Sequence, residues 1–398
     1  MAFLTRATRF SVPILVLVFC IVGLVRQTSK SFEVPSINSG PALLSVIRKD
    51  SAPLSAGLLR AEKRDRFCVV YDVQYPSEQK SPMPSSSISL AVHSTSNYAH
   101  HIFSRASNWL GPVSFALFVD HRSAAVVKRL LQMARSYPLE WSRVRLHLVY
   151  QLGAFTEECE PLKMDNDAIE EEEKMNLSSF RRWSSSLPVP DMDYPINLMR
   201  NTARRGAPSS FQLVADMEMH FSHGAHRRLE EAVAALNDTK AAVVIRRFEI
   251  DQNVRVVEFH RFDFPKGHVV PGIEKWMEES TASTETKLQR IPYSGSFWEP
   301  QVVLHSSAPM NEETKWPTRF LDQQTLIYEL CRARFSFHVV SHVFNLHRGI
   351  KRRKGALERV ITERTYPLRK EAATRYLQRI DSSYPPNDNC GQFRLTNR

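Results

Sequence analysis

Short apolar runs along this chain alternate with segments whose hydrophobic residues recur at helical spacing. Ile88-Ser89-Leu90-Ala91-Val92-His93-Ser94-Thr95 reads as a buried strand, and residues 113–119 and 144–150 repeat the pattern. Between them, residues 98–110 and 123–136 read as helices. Strand and helix alternating at this interval predict an α/β fold with a parallel, helix-covered sheet. Ligands of such sheets collect at the carboxyl ends of the strands. Further along, Pro195 and Gly206 bound an apolar and basic helix. The apolar run Phe211-Gln212-Leu213-Val214-Ala215 follows as a strand and runs into Asp216-Met217-Glu218.

The ends of the chain differ from this pattern. Residues 10–25 carry no charge and are flanked by Arg6, Arg9, Arg26 and Lys30, as in a membrane-inserting segment. This run is shorter than the roughly 20 apolar residues of an ordinary spanning helix, but thinner early-secretory membranes relax that need. No A-x-A-like cleavage site follows, so a retained anchor is expected rather than a cleaved signal. The expected organisation is a cytoplasmic tail (1–9), a signal anchor (10–25), a Ser/Pro-rich stem (26–62) and a lumenal domain (63–398). A lumenal body agrees with the acceptor triplets Asn176-Leu177-Ser178 and Asn237-Asp238-Thr239. Outside the anchor, Cys68, Cys159, Cys331 and Cys390 fit no zinc spacing and allow up to two disulfides in one of three pairings.

With 398 residues and 42% hydrophobic content the chain can bury a large core, and one catalytic unit is expected. The formal charge of +11 raises nucleic acid, membrane surfaces or anionic substrates as partners. The basic residues are scattered without a zinc-knuckle, RNP or arginine-rich pattern, so no nucleic-acid partner is expected. The acidic stretch within residues 159–190 lacks the glycine and alternating ligands of an EF-hand loop and reads as a solvated insertion. No H-E-x-x-H or G-x-S-x-G constellation supports a hydrolase.

Asp216 and Glu218 carry the candidate chemistry. Side chains two apart on an extended chain point to the same side, so both carboxylates can supply hard oxygen ligands to a divalent cation that in turn holds a diphosphate. Arg200 and Arg204, four apart, share one face of the preceding helix.

The order of these blocks resembles glycosyltransferase family 49, the LARGE-type and β-1,4-glucuronyltransferase enzymes, in which a YP(V/I)N-L-x-RN-x-A-(R/K)-x-G helix precedes a strand ending in Asp-x-Asp. In this chain the second acid is Glu218. Gly295-Ser296-Phe297-Trp298-Glu299-Pro300 looks like the family's aromatic-Glu-Pro segment, and residues 334–351 resemble its histidine-containing ending. The resemblance spans residues 88–351, about two thirds of the chain. It implies a GT-A-like nucleotide-diphospho-sugar transferase fold, with a mostly parallel central sheet flanked by helices, and inversion at the anomeric carbon. It also implies metal ligation (Mn²⁺ or Mg²⁺) by Asp216, Glu218 and His347, and contacts to the UDP-sugar from Thr95, with His93 and Ser94 nearby, and from Arg200, Asn201, Arg204 and Arg205. Glu299 is expected to accept hydroxyl hydrogen bonds from a sugar. Asp322 is the candidate general base, with a helix N-cap as its other reading. The family's Gly-Tyr-Gly loop beside that position is missing.

The expected protein is thus a type II Golgi-membrane enzyme that extends a glycan on a glycoprotein from a UDP-sugar, glucuronate first and N-acetylglucosamine second. The alternative is a catalytically silent lumenal glycan-binding protein of the same fold, motivated by Glu218 and the missing Gly-Tyr-Gly.

Overall fold

A computed structural model describes residues 60–74, 84–153, 158–159, 175–189, 194–250, 257–258, 269–349 and 355–395. The apolar run 10–25, the stem up to residue 59 and most of the acidic insertion lie outside them. Among the described residues no helix is long and apolar enough to cross a membrane.

In chain order the elements begin with β1 (Ala61–Arg64), β2 (Phe67–Gln74) and β3 (Ile88–Thr95). Next come α1 (His101–Asn108), β4 (Val113–Phe118), α2 (Ala125–Ser136), the short α3 (Pro138–Trp141), β5 (Val144–Gln151) and α4 (Leu177–Ser185). The middle of the chain forms α5 (Ile196–Gly206), β6 (Phe211–Asp216), β7 (His220–Phe221), α6 (Ala225–Leu236), β8 (Ala241–Ile250) and β9 (Val257–Glu258). The remainder supplies α7 (Ile273–Ala282), β10 (Leu288–Ile291), β11 (Gln301–His305), α8 (Gln324–Arg332), β12 (Ser336–Arg348), α9 (Ala356–Thr365) and α10 (Arg369–Ser383).

One twelve-stranded sheet organises them, in the order β1-β2-β5-β4-β3-β6-β11-β8-β12-β10, with β7 on β12 and β9 on β8. The block β5-β4-β3-β6 is parallel, as the strand-helix alternation predicts. Beyond it the sheet is mixed and not, as expected, mostly parallel: β8 and β12 pair in parallel, but β11 runs antiparallel to both β6 and β8, β10 antiparallel to β12, and β2 antiparallel to β5. Hydrophobic period reports burial and not direction, so a strand covered on both faces reads the same either way.

Alternation along the strands divides the core. Leu90, Val92, Leu213 and Ala215 point to the face covered by α1, α2 and α6. Ala91 and Val214 point to the other face, where α5 packs with Leu198, Met199 and Ala203. Asp216, two residues after Val214, emerges on the α5 side. Gly206 ends α5 where it meets the fully buried His147, and a Cβ there would lie 2.1 Å from His147 Nε2. A second core gathers Trp276, Trp298, Phe337 and Phe344 around β8, β11 and β12.

Of the three possible pairings the structure holds Cys68–Cys159 and Cys331–Cys390. Asn176 and Asn237 are both exposed.

Candidate functional site

At the carboxyl end of β6 a small, partly open pocket is lined by Arg200, Val214, Ala215, Asp216, Arg247, Glu299, Pro300, Gln301 and Gln323. Its residues come from α5, β6, β8, the start of β11 and the approach to α8, so the site exists only once the two halves of the sheet are joined through β11.

Asp216 is the centre of its charge. Parallel pairing of β3 and β6 sets His93 beside Asp216, with His93 Nε2 3.9 Å from Oδ1. Arg200 Nη2 lies 4.0 Å from the same oxygen, and Arg247 Nη2 3.6 Å from Oδ2. His93 is buried and bonded through Nδ1 to the Tyr194 hydroxyl at 2.5 Å. Burial, with help from the Arg200 charge and against the pull of Asp216, lowers its pKa to about 4, so the ring is neutral near pH 7. Arg247 also donates from Nη2 to Gln301 Oε1 at 2.6 Å, an oxygen shared with Asn345 Nδ2 at 3.0 Å.

Glu218 and His347 form the neighbouring group. His347 Nδ1 donates to the Gly349 carbonyl at 3.0 Å. That bond orients the ring and turns Nε2 toward Glu218 Oε1, 3.8 Å away. Burial and the adjacent Asp216 charge push the Glu218 carboxyl above its usual range, against the pull of His347 and Arg247. Two carboxylates and an imidazole suit a hard divalent cation, and the repulsion between the acids is the kind a cation relieves. Among the described residues, however, no three His, Cys, Asp or Glu side chains already converge as a metal centre. Asp216 faces the guanidinium groups, and Glu218 faces His347.

Glu299 belongs to the pocket lining, whereas Asp322 lies outside it, next to Gln323. Glu299 Oε2 accepts from Gln324 Nε2 at 3.0 Å. Asp322 Oδ2 accepts the Arg319 backbone N–H at 3.0 Å, so its carboxylate braces its own loop and does not cap α8. Its Oδ1 is shut off from solvent and has no hydrogen-bond partner among the described residues. Burial, opposed by Arg200 and reinforced by Glu299, raises the Asp322 carboxyl to about 6. Arg319 and Leu321 hold left-handed backbone angles (φ 64° and 50°) without the freedom of glycine, in the region where the family's Gly-Tyr-Gly is missing.

Of the expected donor contacts, Ser94, Thr95, Asn201, Arg204 and Arg205 lie outside the pocket lining, Arg205 paired with Glu313. Asn201 is fully buried, donates to the Asn311 carbonyl at 2.8 Å and to Glu313 at 2.6 Å, and accepts the Asn311 N–H at 2.8 Å. Arg204 is 1% exposed and donates to Gln212 and to the Pro309 and Ala308 carbonyls; burial lowers its pKa to about 10. Both fasten α5 to the 308–313 loop. Thr95 stands at the end of β3 and donates to Asn97 Oδ1 at 2.6 Å, outside the pocket lining. Arg247, Gln301 and Gln323 belong to the lining without having been expected there. The one signal for Arg247 was the Arg246-Arg247 pair directly after the apolar run Ala241-Ala242-Val243-Val244-Ile245.

Comparison with known proteins then assigns the class. A model of a glycosyltransferase family matches residues 87–385, three quarters of the chain, and makes this protein a sugar-transferring enzyme. The chain belongs to the family described as "Glycosyl-transferase for dystroglycan". Similar curated proteins include Beta-1,4-glucuronyltransferase 1 of Danio rerio, 24% identical over 66% of this chain and 67% of that one. The Homo sapiens protein of the same name is 26% identical over 68% and 70%. Xylosyl- and glucuronyltransferase LARGE1 of Homo sapiens is 22% identical over 72% of this chain and 34% of its own length. Among solved structures, S. aureus TarS 1-349 in complex with UDP aligns at a TM-score of 0.40 with 11% identity, covering 76% of this chain and 67% of that one.

Proposed function

We propose that the pocket is the donor site of an inverting, metal-dependent GT-A-type transferase that moves a sugar from a UDP-sugar to a glycan on a glycoprotein. The observation that carries this reading is the convergence of Asp216, Arg200, Arg247 and Glu299 on one pocket at a strand's carboxyl end, in a chain of this family. Glucuronate is the first donor sugar, following the names of the relatives, and N-acetylglucosamine the second.

The residues divide the work. Asp216, Glu218 and His347 would hold Mn²⁺ or Mg²⁺, which when bound neutralises charge on the leaving diphosphate. Arg200 and Arg247 add fixed positive charge beside it. Glu299 accepts sugar hydroxyls, and His93, beside Asp216 at the end of β3, lies toward the nucleoside. Asp322 takes the proton of the attacking acceptor hydroxyl, a role suited to a carboxylate whose pKa has been raised toward neutrality. The acceptor oxygen forms the new glycosidic bond as the bond to UDP breaks on the opposite face, which inverts the anomeric carbon.

Two disulfides and two exposed glycosylation triplets support a lumenal setting in the secretory pathway. We therefore place the enzyme as a Golgi type II protein anchored by residues 10–25. The face that Asp216 turns to two guanidinium groups favours one other reading, a silent glycan-binding protein. A scan of UDP-glucuronate, UDP-N-acetylglucosamine and UDP-xylose decides: metal-dependent hydrolysis or transfer of any one supports the enzyme, and turnover only with a non-UDP donor overturns it.

A further inference from the structure

We propose that Tyr194 is a positioning residue for Asp216: its hydroxyl holds the His93 ring in the one tautomer that turns an N–H, and not a lone pair, toward the Asp216 carboxylate. The inference rests on the donor-site reading above and adds to it a residue that touches neither donor nor metal.

Three segments bring these groups together. Strands β3 and β6 pair in parallel with His93 opposite Asp216, and each of the two follows by two residues a side chain, Ala91 or Val214, that packs on the α5 side. Tyr194 stands two residues before α5, where Thr318 Oγ1 donates to its carbonyl at 2.8 Å. Its ring lies 5.8 Å from that of His93 and meets Phe118 edge-on at 5.6 Å, which leaves the phenol little freedom. The hydroxyl reaches His93 Nδ1 at 2.5 Å. Across the ring, Nε2 is closed to solvent, has no hydrogen-bond partner among the described residues and lies 3.9 Å from Asp216 Oδ1.

The charge of Asp216 decides where the hydrogens sit. A neutral imidazole carries one N–H. On Nδ1 it would donate to the Tyr194 oxygen, and Nε2 would then turn a lone pair to a carboxylate inside a buried site. On Nε2 it faces Asp216, and the Tyr194 O–H donates to Nδ1, so each group meets its opposite. At 3.9 Å the contact with Asp216 is an oriented dipole facing a charge and not a hydrogen bond. Asp216 Oδ1 thus stands between His93 and Arg200 Nη2, 4.0 Å away, while Oδ2 is on the Arg247 side. Groups behind a ligating carboxylate set its orientation, and removing one typically weakens metal binding about 10–100-fold.

The test uses the purified full chain and its Tyr194→Phe variant, which keeps the ring and removes only the hydroxyl. Long-range ¹H–¹⁵N spectra of the histidine rings, with His93 assigned from the signal missing in His93→Gln, should show the wild-type ring protonated on Nε2 alone and the variant as a mixture of both tautomers. Calorimetric titration of UDP in the presence of Mn²⁺ should give an affinity about tenfold weaker in Tyr194→Phe. In His93→Gln, which has no Nδ1 to receive the hydroxyl, adding Tyr194→Phe should bring no further loss. A wild-type ring protonated on Nδ1, an unchanged UDP affinity in Tyr194→Phe, or an equal loss in the His93→Gln background overturns the positioning role alone. Wild-type protein that binds no UDP overturns the donor-site reading and the positioning role together, which separates the two failures.

Discussion

The helix α5 has two ends that look alike in sequence and do different things. Near its start, Arg200 reaches toward Asp216 from 4.0 Å and opens onto the pocket. At its end, Arg204 spends its donors on Gln212, Pro309 and Ala308 and is closed off from water. A buried guanidinium bonded through all three of its nitrogens to protein oxygens is structure; one held at ion-pair distance beside a cavity keeps capacity for an anionic ligand. The same contrast separates Asn201, bonded on both sides of its amide, from Arg247 at the pocket wall.

Mutations at the two ends should separate activity from stability. The largest effect is expected from Asp216→Asn, which keeps the shape and removes the charge that the site is built around: kcat/KM should fall on the order of 1,000-fold with the thermal midpoint little changed. A fully active variant would remove the donor-site argument. Arg204→Met should do the reverse, lowering stability by about 2–4 kcal/mol in urea unfolding because two carbonyls and Gln212 lose a buried donor. Its kcat/KM, assayed where the protein remains folded, should stay within a few-fold of wild type. Gly206→Ala drives a methyl into His147 and should cost about 1–3 kcal/mol with no specific effect on donor affinity.

Much of the parallel half was legible because period and chemistry agreed there. The strands β3, β4, β5 and β6 are short, mostly apolar runs, and Asp216 ends one of them, so its place at a strand's carboxyl end followed from local pattern. The C-terminal half was harder for a physical reason. Strand β12 bends at His342, which has φ 64°, and its register against β8 shifts between Val339 and Phe344, so alternation breaks mid-strand. Arg247 enters the site only because β8 pairs with β11, a contact between distant segments that no local period encodes. Asn201 and Arg204 entered as ligand contacts through the family resemblance, and local sequence offers no check on that, because a helix face rich in arginine looks the same whether it meets a phosphate or a loop of carbonyls.

Asp322 gives the comparison its pH dependence. Its carboxyl titrates near 6 in the folded chain, above the ordinary aspartate value. The folded state therefore binds this proton more tightly than the unfolded one. The associated stability is fully present below the unfolded pKa near 4 and is lost as pH rises through about 6. Asp322→Asn should accordingly be neutral or stabilising at pH 7.5, seen as an unchanged or higher urea midpoint, while transfer is lost. The wild-type kcat/KM should fall below about pH 6 as the base becomes protonated. A flat acid limb would assign the proton to another group. The smallest effect is expected at Arg205, whose pair with Glu313 at 3.3 Å is partly exposed; Arg205→Ala should change stability by no more than about 1 kcal/mol.

The most direct test of the donor site is calorimetric titration of UDP into the full chain and its Asp216→Asn variant, each with and without Mn²⁺. Binding by the wild type that requires Mn²⁺ and disappears in the variant is the predicted result. Folded wild-type protein that binds no UDP, or binding that Asp216→Asn leaves untouched, would contradict it.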